Sequence, residues 1–303
     1  MSFIREIEQR QAELAGLRAI LQRMPDDPLA KPLMASRVRS LQAELDQLEE
    51  TPPAKPEAEL LFAGKPVLGS AGIDAKFAAR VLDSFQDMVS NHHAASRHGA
   101  VGSRGPRASE GESRLFLSAL PRGSFGLLLT QPQVEDFVTA AQVMQAMEQI
   151  TALVEASASG DAAFSETVGN FHPRVLAPLE KFLSALETQE ASVKLRTGTR
   201  QVALKPEQLQ AAHARVAAAS PEEERVTLRG VCRGVLLESW RFDFVSEGAA
   251  PITGALSDAV SEDQAKAILA LVDQPGEADF KVTRIRTRSG LGRPAYELLS
   301  LKA

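Results

Sequence analysis

Cysteine is almost missing from this chain: Cys232 stands alone among 303 residues. One thiol supplies neither an internal disulfide nor a cysteine-cluster zinc site, so stability has to come from packing. Secreted chains usually pair their cysteines, so the expectation is a reducing, cytoplasmic setting. Aromatic side chains are scarce too, with one Trp, one Tyr and thirteen Phe, which leaves Leu, Val, Ala and Phe to build the cores. No run of eighteen apolar residues occurs, so no membrane span is expected. The opening MSFIREIEQRQ has no apolar h-region, and no signal peptide is expected. A net charge of -5 argues against a polybasic coat, although it leaves room for a local basic patch.

What the chain does have is a patterned start. Ile7, Leu14 and Leu21 fall at one heptad position, with Phe3, Leu17 and Met24 at its partner. After Pro25-Asp26-Asp27-Pro28, the residues Met34, Val38, Leu41, Leu45 and Leu48 resume the same three-and-four spacing. So narrow an apolar stripe, flanked by Glu, Gln and Arg, is a seam for another helix rather than a broad face for a globular core. Residues 1–50 therefore read as a coiled-coil-like helical hairpin, with Asp27 capping the second helix. Leu14, Leu17, Leu21, Leu41 and Leu45 are the candidate partner-binding residues. A Pro-rich linker spans 51–58.

An α+β unit is expected over 59–190. Phe77, Val81, Leu82, Phe85, Met88 and Val89 have helical spacing from Asp74 to about Asn91. Residues 94–111 are Gly-rich and basic and read as a mobile loop. Strands flank the turn at 121–124, and helices follow from about Gln133 and after Pro173. From 191 to 303 the pattern turns mostly β. A hairpin forms around Thr197-Gly198-Thr199, and an Ala-rich helix follows. Five strand-like runs then surround an inserted helix capped by Ser261. Short strands with Gly turns suggest a curved sheet or small barrel.

Local chemistry is sparse. Gly230-Val231-Cys232-Arg233-Gly234 has the outline of a nucleophile elbow, but no helix follows it, and a buried strand cysteine is the better reading. His92, His93 and His98, with Glu110 and Glu112, are poorly spaced to hold a metal. Gly99, Gly102 and Gly105 lack the lysine and the preceding strand of a phosphate loop. No cofactor or catalytic group is indicated. Positive charge does collect at Arg97, Arg104 and Arg107 in the basic loop, and at Arg284, Arg286 and Arg288, with Arg293 beyond a turn. Alternate strand residues share a face, so the last group is a candidate for phosphate or nucleic-acid contact. Phe280 and Val282 share that parity, so the strand must run from a buried to an exposed setting. Nearby acids offer cross-strand pairing instead. The function expected is a non-catalytic assembly or adaptor protein, working on itself or on another protein through residues 1–50. Nucleic-acid association is the second expectation.

Overall fold

The computed structural model describes residues 3–25, 27–50, 55–98, 110–120, 125–131, 137–237, 240–246, 248, 251–257 and 259–302. The architecture is α+β, with a helical hairpin, a helix-covered central sheet and a curled C-terminal sheet. No described helix is long and apolar enough to cross a membrane.

Helices α1 (Phe3–Arg23) and α2 (Ala30–Glu50) form the hairpin. The Asp27 carboxylate accepts from the backbone N–H groups of Leu29 (2.8 Å) and Ala30 (2.9 Å), satisfying donors that the first turn of α2 cannot use internally. Those two bonds hold the Asp27 carboxyl below its usual pKa. Leu14, Leu41 and Leu45 form a small core of their own, with Ile7, Leu17 and Val38 against it.

The central sheet has the antiparallel order β4-β5-β1-β6-β7. Its strands are β1 (Glu57–Gly64), β4 (Phe116–Ala119), β5 (Phe125–Thr130), β6 (Ala191–Thr197) and β7 (Arg200–Leu204). A two-residue ribbon of β2 (Val67–Leu68) and β3 (Gly72–Ile73) precedes the first body helix. Helices α3 (Ala75–His98), α4 (Phe137–Ser159), α5 (Asp161–Val168), α6 (Leu176–Thr188) and α7 (Pro206–Ala217) supply the rest of this unit. Alternate residues Ala58, Leu60 and Phe62 of β1 enter the same core as Phe85, Met147, Ile150 and Phe182. β6, β7 and α7 belong with the central sheet, where Val202, Leu204, Leu209 and Val216 are buried in its core. The helix expected to end near Asn91 continues to His98, and residues 99–109 of the basic loop lie outside the described residues.

The C-terminal sheet closes on itself. β8 (Ser220–Leu236), β9 (Arg241–Ser246) and β10 (Ile252–Leu256) form a meander. β11 (Pro275–Thr287) returns to lie antiparallel beside β8, giving the Greek-key order 11-8-9-10. β13 (Ala295–Lys302) fills the gap, antiparallel to β11 and parallel to β10, with β12 (Gly290–Leu291) at the edge. The result is a five-stranded barrel. Helix α8 (Glu262–Ala270), between β10 and β11, contributes Ala265 and Ile268 to the barrel core, and Ser261 caps it as expected. The acidic triplet Glu222–Glu224 lies within β8.

β8 and β11 run past the barrel as a two-stranded ribbon. Ala278, Phe280 and Val282 point into the barrel core, and beyond its rim the same parity carries Arg284 and Arg286. The opposite parity holds Thr283, Ile285 and Thr287 buried, with Ile285 joining the central core. Ile285→Ala should therefore cost about 2–5 kcal/mol in chemical denaturation. Arg286→Ala, one residue along on the exposed face, should cost about 1 kcal/mol or less. Equal losses would place the ribbon elsewhere.

Candidate functional site

Helix α3 buries Phe77, Val81, Phe85, Met88 and Val89 in the central core. Its last turns then change character, carrying His92, His93, Ser96 and Arg97. Consecutive helix positions point about 100° apart, so the two histidines meet different neighbours. His93 lines a polar pocket of about 160 Å³ with Gln142, Gln145 and Gln149 of α4. His92 lines a larger cleft of about 290 Å³ between the central unit and the barrel.

Three segments wall that cleft. The end of α3 gives His92 and Ser96, and the segment after α5 gives Gly169, Asn170, Phe171 and His172. The barrel's outer surface gives Arg241 of β9, Thr253 and Gly254 of β10, Thr283 of β11, and Tyr296 and Glu297 of β13. Gly254 is required by close approach: a Cβ there would lie 2.3 Å from the Tyr296 carbonyl oxygen and 2.7 Å from the Phe242 ring.

His92 is 5% exposed, and its ring lies 4.2 Å from that of Phe171, tilted by 34°. Its Nε2 is 2.6 Å from Gln149 Oε1. An amide oxygen only accepts, so Nε2 carries the proton and Nδ1 presents a bare lone pair. That Nδ1 is buried with no hydrogen-bond partner among the described residues. Burial lowers the His92 pKa, against a smaller upward pull from Gln149, so the imidazole is neutral. His172 is neutral for a related reason. Burial first, then the nearby charges of Lys281 and Arg174, lower its pKa to about 4. Its Nδ1 accepts from the Arg174 backbone N–H at 3.2 Å, which leaves Nε2 as a donor. Lys281 is neutralised by Glu297 at 3.1 Å. Arg241 is half-buried and has no carboxylate partner among the described residues. The cleft thus offers one buried acceptor, one neutral donor and one unbalanced cation.

The residues singled out by sequence lie elsewhere. Leu14, Leu41 and Leu45 are enclosed within the hairpin, Leu17 is partly buried against them, and Leu21 is half-exposed. Arg97 pairs with Glu112 and donates to Thr139 Oγ1 at 3.3 Å. Arg104 and Arg107 lie outside the described residues. Arg284 pairs with Glu224, and Arg286 pairs with Glu222 through two nitrogens, both diagonal cross-strand contacts. Arg288 donates to the Ala214 carbonyl at 3.0 Å, and Arg293 to Asn170 Oδ1 at 3.3 Å. The arginine ladder is engaged with the chain itself, and Arg293 alone borders the cleft through Asn170. Cys232 is buried on β8, where desolvation raises its thiol pKa. Among the described residues no three His, Cys, Asp or Glu side chains are placed to hold a metal ion.

Protonating His172 gives a pH dependence whose sign follows from its lowered pKa. Unfolded, the imidazole takes up its proton near pH 6.5; folded, it resists until about pH 4. The unfolded state therefore binds more protons in that window. Stability is full above pH 6.5 and falls as pH drops, by about 2 kcal/mol at pH 5 from this group. His172→Asn keeps a capping acceptor for Arg174 and removes the titration. Urea unfolding at pH 7.5 and pH 5 should show a smaller acid loss for His172→Asn than for the native protein; equal losses would mean that His172 does not resist protonation.

No protein-family model matches the chain, and neither a curated protein nor a solved structure matches it.

Proposed function

We propose that the chain is a non-catalytic assembly or adaptor protein, and that it joins a second copy of itself through the N-terminal hairpin. The observation that carries this reading is the apolar tip of the hairpin. Ile20, Leu29 and Leu33 are 51%, 78% and 73% exposed, although α1 and α2 have a closed leucine core a few turns away. Exposed large apolar side chains beside the turn of the hairpin mark an interaction surface. Leu21, Met24, Met34 and Leu48 are only half-covered as well. Two such hairpins brought together would bury these residues as a four-helix bundle, and a two-fold arrangement lets one patch complement itself.

Light scattering tests it. The native protein should have the mass of a dimer, and the triple variant Ile20→Glu, Leu29→Glu, Leu33→Glu that of a monomer. Far-ultraviolet circular dichroism should be unchanged, because Leu14, Leu41 and Leu45 keep the hairpin closed. A native protein that is monomeric at micromolar concentration defeats self-association.

A second reading, nucleic-acid association, is favoured by one specific feature, the five-stranded Greek-key barrel. In the OB-fold, barrels of this architecture bind oligonucleotides and oligosaccharides over their second and third strands. This is analogy at the level of fold, and the site must carry the argument. The paired arginines of β11 lend it little support. The cleft on β9 and β10, the second and third strands here, lends it more.

A further inference from the structure

We propose that the cleft between the end of α3 and strands β9, β10 and β13 binds a single nucleotide, with an N–H of the base donated to His92 Nδ1 and the phosphate held by Arg241. The inference rests on the second reading above and gives it a defined site.

Two side chains with unused polar capacity line this cleft. The first is His92, with the lone pair of Nδ1 on a side chain 5% exposed whose other nitrogen is committed to Gln149. An acceptor so placed calls for a ligand N–H or O–H. Every nucleobase can supply one, from an exocyclic amine or a ring imide. The second is Arg241, whose guanidinium lacks a carboxylate partner among the described residues. Elsewhere on the barrel, Arg229, Arg233, Arg284 and Arg286 are each paired with an acid. Arg241 is the cation that lines the cleft, and Glu297, the acid there, is already paired with Lys281, so an anionic group finds the guanidinium available.

Size and shape narrow the class. A volume of about 290 Å³ lies at the small end of ligand sites, roughly 300–1,000 Å³, which suits one nucleotide and not a longer segment. Gly169 and Gly254 keep the walls at backbone level. Phe171 supports the His92 ring, and Tyr296 lines the same cleft, so a flat heterocycle finds aromatic surfaces. The nucleotide comes either free or as one residue of a single strand, and the chemistry is the same for both.

Isothermal titration of the full chain at low salt with AMP, CMP, GMP and UMP, and with single-stranded tetranucleotides, tests the site. Saturable binding is expected for at least one of these probes. His92→Phe keeps a stacked ring but removes the acceptor, and Arg241→Gln removes the cation. Each should weaken binding about tenfold or more, while Arg286→Gln leaves it unchanged. The His92 Nδ1 chemical shift should move on binding. Tight binding of mononucleotides assigns a free nucleotide as the ligand, and binding of tetranucleotides alone assigns a strand. Absence of binding by every probe overturns the proposal, as does equal binding by inorganic phosphate. Strand binding that ignores both variants also overturns this site, while leaving the second reading standing. The hairpin-tip variant should bind as the native protein does, so this result is separate from self-association.

Discussion

Because β11 sends Phe280 and Val282 into the barrel and Ile285 into the central core, its register against β8 fixes both units at once. A one-residue slip would turn every side chain of the strand to the opposite face. Phe280 would leave its cluster with Phe242, Phe244 and Tyr296, and Arg284 would be driven toward the central core in place of Ile285. The pairing runs unbroken from Pro275–Val231 to Arg286–Ser220. The Glu222, Glu224, Arg284 and Arg286 contacts belong to this register, since diagonal pairs form only when the strands are correctly aligned. Their exposure makes them weak contributors to stability. Their value is in discriminating between alignments.

That arrangement explains why the fold was readable from sequence in some places and not in others. The hairpin, α3 and the five barrel strands declare themselves by local periodicity, and the Ser261 and Asp27 caps by local chemistry. The sheet to which β6 and β7 belong does not declare itself, because they resemble the barrel strands in composition. Only long-range pairing of β6 with β1 assigns them to the central sheet. The strand setting of Glu222-Glu223-Glu224 is hidden from local pattern for a similar reason. Three consecutive acids oppose a strand on local propensity, yet their cross-strand partners Arg284, Arg286 and Lys281 lie some sixty residues away.

The cleft was less legible still. His92 drew notice only as one of several histidines considered for metal, and Arg241 followed Trp240 without any motif around it. Helical spacing separates His92 from His93, but nothing local indicates that the barrel lies opposite one of them and α4 opposite the other. The arginine ladder was the more visible signal because its spacing is regular. Regular spacing also suits a ladder of acids on the facing strand, and that geometry pairs Arg284 and Arg286 with Glu224 and Glu222 of the same chain.

A packing account alone fits the cleft poorly. Leaving a buried imidazole nitrogen without a hydrogen bond costs about 1–3 kcal/mol, and phenylalanine at position 92 would stack on Phe171 without that cost. His172 adds to it, since its neutral form is maintained against its normal pKa by burial beside Lys281 and Arg174. Gly254 adds a further constraint, because its strand cannot carry a side chain there without meeting the Tyr296 carbonyl. Each choice is unfavourable or restrictive for the empty fold, and all three line the same 290 Å³ space. A group that accepts from the Arg241 guanidinium and donates to Nδ1 relieves the polar cost directly. The cleft is therefore better described as half of a hydrogen-bonded complex than as a gap left between two units.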